Sequence, residues 1–113
     1  MPDALEENDV VKVIRDAIMQ RIAQGPPHIE EIAASFPLKA RTLQRRLAEA
    51  GTTYRRIVDE VRFEAACRLL EDPGLPLAEI ASALGYSDPA NFTRAFTRWT
   101  GTTPRAYRQR APK

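Results

Sequence analysis

The feature that most constrains the fold of this chain is an internal repeat. Residues 29–53, IEEIAASFPLKARTLQRRLAEAGTT, are repeated as residues 77–103, LAEIASALGYSDPANFTRAFTRWTGTT, if single-residue gaps are allowed in two places. The aligned positions are Glu31-Ile32-Ala33 with Glu79-Ile80-Ala81, Leu43 with Phe92, and Leu47 with Phe96, and Gly-Thr-Thr closes both copies. Each copy is predicted to form a short helix, a tight turn and a longer helix with arginines on its polar face.

Apolar residues recur at helical spacing along the whole chain, so the predicted fold class is all-α with seven helices. Gly25 and the following Pro26-Pro27 end the first helix, with Gly25 in the left-handed conformation. Asp88-Pro89 and Thr103-Pro104 each combine a capping side chain with a proline at the first helical position. The predicted helices occupy about residues 9–24, 29–36, 39–50, 54–71, 77–85 and 88–99, with a last short helix from 103.

The fourth helix carries two apolar stripes, which predicts that it is covered on both sides and shared between two subdomains. The first stripe contains Tyr54, Ile57, Val58, Val61, Ala65 and Leu69, and the second contains Phe63, Ala66 and Leu70. The predicted domain plan is a flexible N-terminus (1–8), a first subdomain (9–52), a linker helix (53–72), a second subdomain (73–110) and a tail (111–113).

Both copies of the repeat meet the physical requirements of a helix-turn-helix unit. Small residues, Ala33 and Ala81, stand where the second helix of each unit must cross the first. Apolar residues of the turns are available to plug the core, namely Phe36 with Leu38 and Leu84 with Tyr86. The third and sixth helices each have one apolar edge, so their polar edges are free to enter a DNA major groove.

The charge distribution favours a polyanion as partner. The chain has a formal net charge of +2, yet residues 1–38 hold three basic and seven acidic residues, whereas residues 39–113 hold fourteen basic and eight acidic residues. After Asp88 the sequence contains no acid and six bases. Since a basic tail is often only a solvated end, charge alone does not decide the function.

The sequence lacks the features of several other protein classes. Cys67 is the only cysteine, which excludes an internal disulfide and agrees with a reducing cytosol. No apolar run reaches the roughly 18 residues of a membrane span, and the first residues lack the layout of a signal peptide. His28, the only histidine, has no metal-binding or catalytic set around it. The sequence therefore predicts a cytoplasmic, nucleoid-associated protein without cofactor, metal or enzymatic activity.

Residues 77–108, LAEIASALGYSDPANFTRAFTRWTGTTPRAYR, resemble the DNA-binding domain of AraC/XylS-type transcription regulators. The pattern A-x-x-x-G-(F/Y)-x-x-x-x-x-F-x-R-x-F, followed by G-x-(T/S)-P-x-x-(Y/F)-R, is complete in this segment. Residues 41–62 are similar to a subgroup of the family whose first recognition helix is one residue shorter. The resemblance covers about residues 28–108 and implies two homeodomain-like helix-turn-helix units that regulate bacterial transcription.

The resemblance implies which side chains contact base edges. These are Arg41, Gln44 and Arg45 in the first unit, and Pro89, Ala90, Asn91 and Arg94 in the second. Arginine pairs with guanine O6 and N7 through two hydrogen bonds, and glutamine or asparagine pairs in the same way with adenine. Pro89 and Ala90 offer only apolar contact, so the second unit is expected to read fewer bases than the first.

A second set of residues is expected to contact phosphates, which position a protein on DNA without specifying sequence. This set contains Lys39, Thr42, Arg46, Ser87, Thr93 and Arg98. One departure from the family lies in the first turn, Phe36-Pro37-Leu38-Lys39-Ala40, which lacks the usual glycine and serine cap. Proline cannot adopt positive φ and lysine is a poor cap, so this turn is expected to be built differently from the second.

Double-stranded DNA is the predicted partner, and RNA polymerase is a second candidate because family members commonly contact it. No effector-binding domain is visible in these residues, so the chain is either the DNA-binding part of a longer regulator or a small stand-alone member. Two alternatives remain open: a helical module that docks on an acidic protein such as RNA polymerase, and an accessory DNA-binding domain of a larger enzyme. Salt-dependent binding to unrelated duplexes would separate DNA binding from protein docking.

Overall fold

A computed structural model describes residues 7–25, 27–34 and 36–110, and within these ranges the chain forms seven α-helices and one 3-10 turn, with no strand. The predicted all-α fold class with seven helices is confirmed. The α-helices are α1 (Glu7–Arg21), α2 (Ile29–Ala33), α3 (Ala40–Glu49), α4 (Tyr54–Leu70), α5 (Leu77–Ala83), α6 (Pro89–Thr100) and α7 (Pro104–Arg110), and the 3-10 turn is Ile22–Gln24. Neither the predicted tail nor most of the predicted flexible N-terminus lies within the described residues.

The first two helices differ most from their predicted boundaries, and the third to sixth helices agree with theirs to within two residues. The first helix begins two residues earlier than predicted, at Glu7, and its last predicted turn is the tighter 3-10 form common at helix ends. The second helix ends at Ala33 and does not reach Phe36. Pro37 disfavours helical conformation at the residue before it, Phe36, so the predicted extension of α2 to Phe36 is opposed locally.

Three helices begin with side-chain caps, and two of these caps, Asp88 and Thr103, are the ones that the sequence predicts. Asp88 Oδ1 accepts a hydrogen bond of 2.8 Å from the backbone N–H of Ala90 at the start of α6. Thr53 Oγ1 accepts one of 3.1 Å from the N–H of Arg56 in α4, and Thr103 Oγ1 accepts one of 3.1 Å from the N–H of Ala106 in α7. Each bond satisfies a helix-terminal donor that has no partner within its own helix.

The described residues divide into two compact units. Unit 1 contains the described residues up to Arg21 and those from Pro27 to Val61, and unit 2 contains Ile22–Gly25 and those from Arg62 to Arg110. Helix α4 contributes its first half to unit 1 and its second half to unit 2. The prediction of a long helix shared between two helix-turn-helix subdomains is confirmed as part of the fold class.

Unit 1 is held together by one apolar cluster from α1, α2, α3 and the first half of α4. Helix α3 packs on α1 and on α2, and Ala33 is buried at 6% exposure, as the predicted small crossing residue should be. The other buried apolar side chains of this unit are Val10, Ile14, Ile18, Ile29, Ile32, Leu43, Leu47, Ile57, Val58 and Val61.

Unit 2 has a core dominated by aromatic rings around Phe96. The Phe96 ring centroid lies 5.8 Å from that of Phe92, 6.1 Å from Phe63, 6.3 Å from Trp99 and 5.4 Å from Tyr107. These tilted and edge-to-face pairs add to the burial of apolar area. The buried aliphatic residues of this unit are Ile22, Ala66, Leu70, Ile80, Ala81, Leu84 and Ala95.

Two arginines support unit 2 from α4 and α7. The Arg62 guanidinium lies 4.1 Å from the centroid of the Tyr86 ring, a stacked cation–π arrangement. Arg108 Nε donates a 3.1 Å hydrogen bond to the carbonyl oxygen of Leu70, the last residue of α4. Arg108 therefore ties α7 to the end of α4, and it serves the fold although it belongs to the basic carboxyl-terminal stretch.

The predicted first stripe of α4 extends too far. Ala65 and Leu69 are half-buried, so the fully buried part of that stripe ends at Val61, where the chain passes from unit 1 to unit 2. The second stripe holds at Ala66 and Leu70, which are buried, and Phe63 is half-buried against Phe96 and Trp99. A continuous apolar stripe requires α4 to pack against one core along its whole length, whereas its two halves belong to different units.

Candidate nucleic-acid interface

Helix α3 separates a buried edge from an exposed basic edge. Leu43 and Leu47, four residues apart, have no exposed surface and fix the helix in the core of unit 1. The three residues predicted to contact bases, Arg41, Gln44 and Arg45, are all exposed on the other side of the helix. The structure therefore brings these three side chains to one solvent-facing edge.

Helix α6 repeats this arrangement in unit 2. Phe92 and Phe96 are buried four residues apart, with Ala95 beside them. The four residues of the second predicted set, Pro89, Ala90, Asn91 and Arg94, are all exposed in the first half of the helix. This is the end of a recognition helix that contacts base edges when it enters a major groove.

The residues predicted to contact phosphates lie at the borders of these two edges. Lys39, Ser87 and Arg98 are exposed, whereas Thr42, Arg46 and Thr93 are half-buried. The half-buried positions suit side chains that flank a groove rather than enter it. The base-contacting and phosphate-contacting roles of these residues are defined by contact with DNA, and they stay predictions.

The two turns are built differently, as the sequence predicts. In the second turn Gly85 has a φ of +87°, Leu84 is buried, and Asp88 caps α6. In the described part of the first turn no residue has positive φ, and Lys39 precedes α3 without a side-chain cap hydrogen bond. The α3 amino end therefore keeps backbone N–H groups for an outside acceptor, whereas the Asp88 carboxylate already occupies that end of α6.

The second turn is also held by aromatic contacts. The Tyr86 ring centroid lies 5.7 Å from that of Phe92, the first buried residue of α6, and the Arg62 guanidinium covers the same ring. In the first turn Phe36 and Leu38 are only half-buried. The predicted apolar plugs are thus present in both turns, and the second is the better packed.

Arg45 on α3 and Arg94 on α6 each have a polar partner on their own helix. Arg45 Nε lies 4.0 Å from Glu49 Oε2, one turn toward the carboxyl end of α3. Arg94 Nη2 donates a hydrogen bond to Asn91 Oδ1, one turn toward the amino end of α6. Neither pair was predicted from the sequence, although spacings of four and three residues are the signal that reveals them.

Glu31 in α2 accepts two hydrogen bonds, one from α1 and one that caps the start of its own helix. Arg21 Nη2 donates to Glu31 Oε1 at 2.7 Å, and the backbone N–H of His28 donates to Glu31 Oε2 at 3.3 Å. The hydrogen bond from Arg21 is the main reason that the pKa of the Glu31 carboxyl lies below its usual value of 4.5, and the bond from His28 lowers it further. The Tyr54 hydroxyl donates to the carbonyl oxygen of Pro27 at 2.5 Å, and burial raises the pKa of Tyr54 to about 12.

The remaining predicted features are also located. Cys67 is a half-buried free thiol, and its hydrogen bond with Tyr107 raises the pKa of that hydroxyl. Among the described residues, no three histidine, cysteine, aspartate or glutamate side chains are grouped so that they could hold a metal ion. None of the helices in the described ranges is both long and apolar enough to cross a membrane.

A family model described as a helix-turn-helix domain matches residues 32–110, which include α3 and every helix from α4 to α7. The chain belongs to the AraC/XylS family of transcription regulators. The family resemblance in the sequence is thereby confirmed. AraC/XylS domains of this type are DNA-binding regulatory modules, so the chain is not an enzyme.

Individual AraC-type relatives agree with this assignment. The ornithine utilization regulator of Pseudomonas aeruginosa is 43% identical over 83 residues, which are 74% of this chain and 24% of that protein. The regulator VqsM of the same species is 43% identical over 93 residues, 82% of this chain and 29% of that protein. The chain thus spans about a quarter of the length of the curated relatives that it matches.

A solved structure of the family gives the same fold. The transcriptional regulator CdpR from Pseudomonas aeruginosa superimposes with a TM-score of 0.75 and 38% identity, covering 92% of this chain and 31% of that one. The coverage extends across both helix-turn-helix units. The fold and its place in the AraC/XylS family therefore rest on sequence and structure alike.

Proposed function

We propose that this chain reads double-stranded DNA with α3 and α6 in adjacent major-groove segments and so regulates transcription at a bacterial promoter. The observation that carries the proposal is the matched division of the two helices. Each buries a pair of large apolar residues four positions apart and exposes arginine and amide side chains on its remaining surface, which in α6 also includes Pro89 and Ala90. A helix needs this division in order to be anchored in its domain and inserted in a groove at once.

The proposed base contacts of unit 1 are made by Arg41, Gln44 and Arg45. Arginine donors match guanine O6 and N7, and the glutamine amide matches adenine N6 and N7. In unit 2 the proposed contacts are made by Pro89, Ala90, Asn91 and Arg94. Pro89 and Ala90 present only apolar surface, which suits a thymine methyl group.

The proposed phosphate contacts are made by side chains that border the two edges: Lys39, Thr42, Arg46, Ser87, Thr93 and Arg98. At α3 the uncapped amino end adds backbone N–H donors for a phosphate. At α6 the Asp88 carboxylate disfavours a phosphate at the helix terminus. The phosphate contacts of this unit are therefore proposed for side chains beside the exposed edge of α6.

The chain is proposed to act as the DNA-binding part of an AraC-type regulator, since the matched segments make up only 24% and 29% of the two curated relatives described above. An effector-sensing region would then belong to another part of the longer regulator. RNA polymerase is a further proposed partner at the promoter. Such a role would place the protein with the nucleoid in the cytoplasm.

Two substitutions test the proposed reading residues on an operator selected by the wild-type chain. Arg45→Ala and Arg94→Ala are each expected to weaken operator binding by about 1–3 kcal/mol and to relax base preference at one position, because each removes a two-bond contact to a base. Binding to the operator and to its single-base variants is measured by fluorescence anisotropy. Arg110→Ala in the last turn of α7 is the control, expected to leave base preference unchanged. If neither variant alters base preference, the assignment of α3 and α6 as reading helices is wrong.

A further inference from the structure

The exposed edge of α6 carries a hydrogen-bonded pair that has a consequence for base recognition. Arg94 Nη2 donates to Asn91 Oδ1, and both residues are exposed. They stand three positions apart, so they meet on one face of the helix without help from the core. The guanidinium is thereby drawn toward the amino end of α6, the end that approaches base edges in this class of unit.

The corresponding arginine of unit 1 is held in the opposite direction. The partner of Arg45 is Glu49, one turn toward the carboxyl end of α3, with the two charged atoms 4.0 Å apart. The Arg45 and Glu49 side chains are 66% and 58% exposed, so this is a loose surface pair. Of the two arginines, it is therefore Arg94 whose polar partner guides it toward a base.

The chemistry of the pair fixes what Asn91 can offer to DNA. A guanidinium has donors and no acceptor, so the amide atom facing Arg94 is the oxygen, and the NH₂ group of Asn91 points elsewhere. An asparagine that reads adenine accepts from N6 with this oxygen and donates to N7 with the NH₂ group. When the oxygen already serves Arg94, the groups that both side chains have left for DNA are almost all donors.

A surface of donors selects among bases. In the major groove guanine presents two acceptors, O6 and N7, whereas adenine presents the N7 acceptor beside the N6 amino donor. Donors placed against the N6 amino group would leave polar hydrogens facing each other, which costs free energy when water is excluded. The pair is therefore complementary to guanine and not to adenine.

We infer that Asn91 is a positioning residue for Arg94, and that the two side chains read guanine as one unit while Asn91 reads no adenine of its own. This inference rests on the proposed function, because it requires α6 to enter the major groove. It adds the base class that unit 2 selects. It also replaces the simpler expectation that asparagine pairs with adenine.

The test uses the full chain and selection of bound sequences from a random duplex library, with wild type, Asn91→Ala, Arg94→Ala and the double variant. The short run of bases that α6 reads is called the second box, and the run that α3 reads is called the first box. Arg94→Ala is expected to abolish preference for one guanine in the second box, a loss of about 5-fold to 150-fold in discrimination. Asn91→Ala is expected to lower preference for that same guanine by about twofold to tenfold, because a free arginine side chain must then be ordered on binding. In the Arg94→Ala background, Asn91→Ala is expected to have no further effect on base preference.

Asn91→Asp separates positioning from direct reading. Aspartate keeps an acceptor for Arg94 but has no NH₂ group for adenine N7, so the guanine preference is expected to persist while overall affinity falls through phosphate repulsion. Gln44→Ala on α3 is the matched control and is expected to change only the first box. The thermal midpoint of each variant checks that the fold is intact.

Three results would overturn the inference. The first is loss of an adenine preference in Asn91→Ala with the guanine preference intact. The second is independent effects of the two substitutions in the double variant. The third is a wild-type selection without any second box, and this outcome alone also contradicts the proposed function of α6, so the two failures are distinguishable.

Discussion

Gly85 is the glycine at which an added side chain would meet the closest backbone atoms. Its φ is +87°, and a Cβ atom added to it would lie 2.4 Å from the carbonyl oxygen of Ile22 and 2.8 Å from the Cα and N atoms of Gly25. All three atoms belong to backbone and cannot rotate away. Glycine is needed there both for the left-handed conformation and for the close approach of the 3-10 turn.

Replacing Gly85 by alanine should therefore destabilise the chain more than the same change at another helix-closing glycine. Gly85→Ala is expected to lower the free energy of unfolding by about 2–5 kcal/mol, the sum of the left-handed strain and the overpacking. Gly101→Ala is the matched control, since its φ is +79° but nothing lies within 4 Å of the added atom. Its expected cost is about 1–2 kcal/mol. Equal losses in urea-unfolding experiments would show that the contact at Gly85 does not matter.

Short-range chemistry made several of these residues predictable. Asp88-Pro89 and Thr103-Pro104 could be identified as helix starts, and Gly25 as a left-handed terminator, because each depends only on neighbouring residues. The close approach at Gly85 could not, since it depends on a backbone segment about sixty residues earlier in the sequence. The Asn91–Arg94 hydrogen bond lies between these cases. Its spacing is visible in the sequence, but the choice of partner follows from the geometry.

At the scale of the helices, the spacing of apolar residues determines which face of a helix is buried. It does not determine the residue at which a helix passes from one core to another. The spacing of Leu43 with Leu47 and of Phe92 with Phe96 predicted the exposed edges of α3 and α6. The same reasoning extended the first stripe of α4 past Val61, because spacing carries no information on the boundary between two cores. Likewise, α2 relies on contacts from α1 and α4 that no local pattern contains.

The contact between α1 and α2 predicts a pH dependence. The pKa of Glu31 is lowered in the folded chain, so this carboxylate stabilises the fold above its unfolded value of about 4.5, and the stabilisation is lost as pH falls through the lower folded pKa. Glu31→Gln should therefore be less stable than wild type at pH 7, with a difference that narrows as the pH falls below 4.5. Urea unfolding at a series of pH values measures this difference. Glu30→Gln controls for the loss of one negative charge in the same turn, and a pH-independent difference for Glu31→Gln would rule out this origin of the stabilisation.

On the scale of the whole molecule, two units with matched exposed edges account for the internal repeat. The repeat predicted two helix-turn-helix units, and the division of the chain within α4 agrees with it. The fold could be predicted this far because helix spacing, caps and breaks are local and occur twice. The base preference proposed for each unit could not be predicted this far, since it depends on how α3 and α6 would meet a duplex.

The central claim is that both units read bases on one duplex, and selection of bound sequences from a random double-stranded library tests it most directly. The wild-type chain is expected to recover two short boxes separated by about one helical turn, roughly 10 base pairs, because successive major-groove faces recur at that distance. One recovered box would contradict the claim of two reading units and would point to the uncapped first turn of unit 1. Recovery of no enriched sequence would contradict base reading altogether.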